Sequence, residues 1–315
     1  MTTACEYKDL PGIEAPKDLI PIRVSFDFAQ LDSIPKSMRL AFYQQQADAT
    51  TRSYTMYDIQ SRDTVIHLTK GKYDVVAWNN DTEYNLISGH NNPEMLNFTT
   101  PAFTSFIGTS LPRLIDSLTH NKKVLSYPDY MVHVPKTTID ISRLRGKTRA
   151  YGEMTLQDTT LTIRPAELTV EVSIKLNNIV GLEYCRAIQG VVTNVAATRY
   201  IGTENLSEDT CTVAFPMQAN KEDNSVSTKF YVADYEPTGL KNIKHRLLVF
   251  FYLNKKQVYV PLDISEEVAR ARRLRDYRIN VDRELNIVMQ DSIEPSGGMS
   301  ADLEEWQNIT VPINI

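Results

Sequence analysis

Residues 168–176 read LTVEVSIKL, with Leu168, Val170, Val172, Ile174 and Leu176 alternating with Thr169, Glu171, Ser173 and Lys175. A period of two puts one set on each face of a pleated strand, whereas a helix scatters it around its axis. The pattern recurs. In PIRVSFDFA (21–29), Ile22, Val24, Phe26 and Phe28 alternate with Arg23, Ser25 and Asp27. In MRLAFY (38–43), Met38, Leu40 and Phe42 share one face. Shorter runs follow as SYTMYDI, TVIHL, CTVAF, VSTKFYV and QVYVPL. LLVFFYL (247–253) is apolar on both sides, as in a central strand covered on both faces. Many short strands separated by turns predict sandwiches. The chain reads as all-β, with two tandem antiparallel β-sandwich domains.

A chain of 315 residues is long enough for two domains. Residues 1–20 hold Pro11, Gly12 and Pro16 and few large apolar side chains, so they read as a tether. The first sandwich is expected over 21–158 and the second over 159–315. Residues 85–135 are irregular and carry Pro93, Pro101, Pro112, Pro128 and Pro135. A short helix is weakly patterned over 102–118. Residues 136–160, with Arg143, Arg145, Lys147 and Arg149, read as the approach to the domain boundary or as an edge strand. A better-marked helix begins at Ser265 as its cap. Glu266 and Glu267 stand in its first turn, and Arg270, Arg272, Arg273 and Arg275 toward its end, in the order the helix dipole favours. The last residues, NITVPINI, alternate again, with Ile309, Val311, Ile313 and Ile315 on one face. They form a terminal strand or a segment ready to become one.

Composition narrows the function. Lys and Arg number 34 against 39 Asp and Glu, a net charge of -5, which gives no general attraction to nucleic acid. No apolar run approaches the ~20 residues of a membrane-spanning helix. The three cysteines, Cys5, Cys185 and Cys211, form no CxxC pair. Cys185 and Cys211 are read either as a disulfide or as two buried thiols. The five histidines, His67, His90, His120, His133 and His245, lack metal-pair spacing, and no HExxH, GxSxG, phosphate loop or GxGxxG is present. Adjacent carboxylates such as Glu266/Glu267 and Glu304/Glu305 do not converge on one bond. No catalytic residue, cofactor or metal is expected. The stretch Asn79-Asn80-Asp81-Thr82-Glu83 follows an apolar run that holds Trp78. It lacks the register of a calcium loop and reads as the end of a strand, where Asn and Asp bond nearby backbone. Arg270 to Arg278 read as a solvated helix face.

The start, MTTACEYKDL, resembles the beginning of a mature bacterial lipoprotein. Thr-Thr-Ala precedes Cys5 as at the end of a lipobox, and Glu6 follows it as in surface-exported lipoproteins of Bacteroidales. "CEYKDL", the strand ending "FDFA", "MRLAFY" and "GKYDVVAWNNDTE" resemble the N-terminal domain of fimbrillin-like lipoproteins of Bacteroidales. "RPAELTVEVSIKL" and "GGMSADLEEWQNITVPINI" resemble their second domain and C-terminal segment.

The resemblance implies transthyretin-like sandwiches and a non-enzymatic accessory, anchor or tip subunit of type V fimbriae, or an adhesin. It implies a lipid on Cys5, a place at the outer membrane and a signal peptide mostly preceding the sequence given. Other fimbrial subunits would be the partners, joined by a donor strand, with a host or bacterial surface ligand beside them. Ile309, Val311, Ile313 and Ile315 have the chemistry of such a strand. The alternative is a surface carbohydrate-binding lipoprotein that stacks sugars on Trp78 or Trp306.

Overall fold

In the computed structural model, the described residues are 19–45, 53–105, 123–142, 149–151, 154–235, 243–253, 257–274 and 278–288. Strands dominate. The first sandwich uses β1 (Leu19–Phe26), β2 (Met38–Gln44), β3 (Tyr54–Ile59), β4 (Asp63–Thr69), β5 (Lys72–Asn79), β9 (Val132–Asp140), β10 (Arg149–Tyr151), β11 (Met154–Gln157), β12 (Thr160–Ile163) and β13 (Ala166–Glu167). One sheet runs β10-β11-β12-β1-β4 and the other β13-β9-β5-β2-β3. Between them lie Ile22, Val24 and Phe26 of β1, Met38, Leu40 and Phe42 of β2, and Leu156, Leu161 and Ile163 of β11 and β12. These are the inward sets that the alternation predicts. Phe28, one step beyond β1, stacks on Phe26 with ring centroids 5.5 Å apart.

The second sandwich uses β14 (Val170–Val180), β15 (Cys185–Ala196), β17 (Thr210–Asn220), β18 (Ser225–Val232), β19 (Arg246–Leu253), β20 (Gln257–Asp263) and β21 (Arg278–Asn286). They join in the order β20-β19-β15-β17-β18-β14-β21. The two layers share β17. It pairs with β15 as far as Met217 and with β18 from Gln218 onward. Its bend there carries it from one layer to the other, as corner strands do. β19 is central, and its two faces divide: Leu247, Val249 and Phe251 enter the sandwich core, whereas Leu248 and Phe250 pack outside with Val191, Ala214 and Phe103. Pro261 lies on β20, an edge strand, where a missing N–H removes no ladder bond. Helix α1 (Ser265–Leu274) joins edge strand β20 to edge strand β21 and buries Val268 and Ala271.

Three features differ from the expectations. Pairing is antiparallel among the described residues except at β1–β12, β14–β21 and β8 (Val124–Ser126) with β17, which are parallel. β11 and β12 form a hairpin with Gln157 opposite Thr160, and both lie in the sheet of β1. The expected division at 158/159 therefore falls inside a hairpin, and the change of sandwich comes at Leu168, just before β14. Ser265 also does not act as the expected cap. Its hydroxyl donates to Oδ1 of Asp263 at 2.6 Å and accepts from the His245 N–H at 2.9 Å, tying the helix start to β19. The weaker helix expected over 102–118 falls mostly outside the described residues; Ala102 forms a bridge with Leu125.

Candidate interaction surfaces

The cluster at 79–85 has a clear structural role. Asn79 is buried at the end of β5. Its Nδ2 donates to Oδ1 of Asp81 at 2.9 Å and to the Tyr130 carbonyl at 3.2 Å, and its Oδ1 accepts the Val132 N–H at 2.8 Å. Oδ2 of Asp81 accepts the Lys36 N–H at 2.8 Å. Asn80 donates to Asp58, itself paired with Arg39. That pairing holds the Asp58 carboxyl below its ordinary range, the Arg39 hydrogen bond being the largest cause. Asp129 accepts from the N–H groups of Glu83 and Tyr84, both at 2.7 Å. These carboxylates and amides close one end of the sandwich where β5 ends, chiefly through bonds to residues far away in the sequence, only the Asn79–Asp81 bond being local.

Trp78, one residue earlier, is fully buried. It lies on the outer face of the β5 sheet, where Tyr43, Leu96, Phe98, Leu168 and Ile201 join it in a core between the two sandwiches. An indole buried among these side chains offers no platform for a sugar, so Trp78 is removed from the carbohydrate-binding reading. Trp306 lies outside the described residues.

The seam around Trp78 is built by a bulge. The β5–β9 register shifts between Val75 and Ala77, with an extra residue on β9 at Pro135 and Lys136. Pro135 has no N–H to give the ladder, and the bulge turns the Lys136 N–H outward. It donates to the Gly202 carbonyl, in the connection between β15 and β17, at 2.8 Å. A Cβ on Gly202 would lie 1.9 Å from the Pro93 carbonyl oxygen, so glycine is required by close approach. The Lys136 ammonium pairs with Glu94. His133, buried on β9, places Nδ1 2.9 Å from the Ile201 carbonyl and Nε2 3.1 Å from Oε1 of Glu204. Glu204 is held at φ 63, and its contact with His133 keeps its carboxyl below the ordinary range. Arg199 donates to the Leu168 and Ala233 carbonyls.

Tyr130 and Tyr231 face each other across the same seam, ring centroids 5.6 Å apart. Their hydroxyls donate to Glu167 at 2.9 Å and Glu171 at 3.3 Å. Burial, with these carboxylates, pushes the Tyr231 phenol up to about 12.

The remaining site expectations divide. Cys5, Ile309, Val311, Ile313 and Ile315 lie outside the described residues. Among the described residues no group of three metal-ligating side chains comes together, and His67 is exposed on β4. His245 is buried, with Nδ1 3.2 Å from the Thr193 carbonyl. Cys211 pairs in register with Val195, ten residues along β15 from Cys185, or about 33 Å at the rise of a strand. A disulfide needs Cα atoms about 4–7 Å apart, so the two are separate thiols.

A family profile described as a domain of unknown function, DUF5119, matches residues 4–216. The chain belongs to the DUF5119 family. No curated protein matches it. Among solved structures, the chain resembles a candidate adhesin from Bacteroides ovatus at TM-score 0.62 and 16% identity, covering 94% of this chain and 100% of that one. A second candidate adhesin from Bacteroides ovatus gives 0.51 at 8% identity, over 86% and 90%. The fimbrial anchor protein Mfa2 from Porphyromonas gingivalis gives 0.44 at 13% identity, over 84% and 89%, too low a score to carry an argument. At these identities the likeness establishes the two-sandwich fold, and the fold agrees with the fimbrillin-like resemblance of the sequence.

Residues 85–135 are where the sequence pattern yielded least. β6 (Leu86–Ser88) pairs with β7 (Asn97–Thr99), and β7 with β16 (Arg199–Tyr200), in a separate small sheet. No alternation longer than three residues marks these strands, so no sequence signal could have placed them.

Proposed function

We propose that this chain is a non-enzymatic surface lipoprotein, an adhesin or an accessory, anchor or tip subunit of fimbriae. It is held at the outer membrane by a lipid on Cys5 and joined to other subunits by β-strand addition. The observation that carries the reading is the extent of the structural match, which covers 94% of this chain and 100% of the Bacteroides ovatus candidate adhesin. The sequence around Cys5 supports the lipid anchor. Residues 309–315 support the strand, because Ile309, Val311, Ile313 and Ile315 repeat the alternation of Ile22, Val24 and Phe26 on β1.

β-Strand addition needs a site where main-chain groups and pockets for alternate side chains lie together. β1 occupies such a place. It is the first described strand, yet it lies inside its sheet, between parallel β12 and antiparallel β4. An incoming strand of the same alternation would fill the same pockets, and four buried Ile or Val side chains would contribute several kcal/mol at about 25 cal/mol per Å².

Two experiments test the reading. In a full-length form carrying its signal peptide, Cys5→Ala should move the protein from the membrane fraction to the soluble fraction; retention in the membrane overturns the anchor. Deleting 309–315 should abolish copurification with partner subunits and leave the fold intact. Unchanged copurification removes the donor role.

A further inference from the structure

The connection from β5 to β9 leaves the first sandwich and returns to it. Between those points its described strands β7 and β8 pair with β16, in the connection between β15 and β17, and with β17 itself. β7 pairs with β16, Phe98 opposite Arg199 and Asn97 opposite Tyr200. Thr99 Oγ1 donates to the Ala197 carbonyl at 3.0 Å. β8 then adds to the outer edge of β17, with Val124, Leu125 and Ser126 opposite Thr212, Val213 and Ala214. The Thr212 N–H donates to the Lys123 carbonyl at 2.9 Å. On its other side β8 is held by Phe103 N–H to the Val124 carbonyl and Ser126 N–H to the Pro101 carbonyl, each 3.0 Å.

The side chains follow the pairing. Leu125 is 7% exposed and belongs to the core of the second sandwich, with Cys211 and Val213. Val124 packs on the opposite face with Phe103, against Val191, Ala214 and Phe250. A segment whose two ends are anchored in the first sandwich thus supplies an edge strand and a core leucine to the second. Without β8, β17 would present a row of unpaired N–H and C=O groups beside apolar surface, a template for strand pairing.

We propose that the outer edge of β17 is a strand-acceptor site that the first sandwich fills in cis with β8, and that this occupancy makes the two sandwiches one folding unit. The partner that fits the edge is a short extended segment with one inward leucine, laid parallel to β17.

The test uses the full-length chain unfolded in urea, with hydrogen exchange read separately in peptides from β2–β5 and from β14–β18. One shared midpoint is expected. Leu156→Ala, in the core of the first sandwich, should lower both regional midpoints by the same amount. Leu125→Pro removes the rung that follows Thr212 N–H to Lys123 in the parallel ladder. It should split the transition in two and raise the rate of Cys211 thiol labelling at least about tenfold, the equivalent of one RT ln 10 in the opening equilibrium. Separate midpoints in the unaltered chain overturn the proposal. So does a Leu125→Pro chain that still unfolds in one step with Cys211 protected.

Discussion

Nε2 of His133 and Oε1 of Glu204 meet 3.1 Å apart across the seam between the sandwiches, the imidazole buried and the carboxylate half exposed. The contact holds the Glu204 carboxyl below its ordinary value of 4.5. A carboxyl depressed in the folded state stabilises above its unfolded pKa, and that stability is lost as the pH falls through the folded one. Stability should therefore drop below about pH 4.5 by more in the native chain than in Glu204→Gln. Because Glu204 is half exposed, solvent screening keeps the difference under about 1 kcal/mol. Urea midpoints of both proteins from pH 6 to pH 3 check the sign, and parallel curves would remove the contact as a source of stability.

Trp78 carries the seam's packing. Trp78→Ala should cost about 3–5 kcal/mol in urea unfolding, the range for a large buried aromatic. A substitution that left stability unchanged and abolished sugar binding would restore the indole as a binding platform.

Asn79 is the center of the polar closure. Asn79→Ala leaves the Val132 N–H and the Tyr130 carbonyl without that partner inside the fold, at about 1–3 kcal/mol. If the cluster is structural, millimolar calcium should not shift the thermal midpoint of the native chain. A calcium-dependent rise would show a metal site there.

Gly202→Ala forces a methyl group onto the Pro93 carbonyl at 1.9 Å. It should destabilise by about 1–3 kcal/mol, as overpacking does. Because the Gly202 carbonyl accepts the Lys136 N–H, hydrogen exchange at Lys136 should quicken. Unchanged exchange there would detach the bulge from the seam.

The strands were legible wherever one face is wet and the other dry. β1 and β14 show this, since alternation is then written into the residue types. β19 was legible by its continuous apolar run, because both faces are covered. Leu168 and Thr169 extend the alternation of β14 but leave its sheet: Leu168 enters the seam, and Thr169, buried, accepts the Met131 N–H through Oγ1 at 2.9 Å. Periodicity reports exposure, and a junction buried between two domains has none to report. For the same reason Trp78 looked like a surface aromatic beside polar neighbours. The parallel pairs could not be read, because the side-chain pattern of a strand is indifferent to the direction of its neighbour. The end of β5 at 79–83 was legible from its residue types, but its partners were not, because Asn79 and Asp81 bond chiefly to Lys36, Tyr130 and Val132, far away in the sequence.

The place of β1 has a mechanical consequence. Its rungs to β12 and β4 run across the strand axis. A pull applied at Leu19 along that axis loads every rung on both flanks together, so the ladder resists in shear and cannot be peeled open one bond at a time. Whatever is fastened ahead of Leu19 is thereby coupled to the middle of the first sandwich, where tension spreads across a whole sheet.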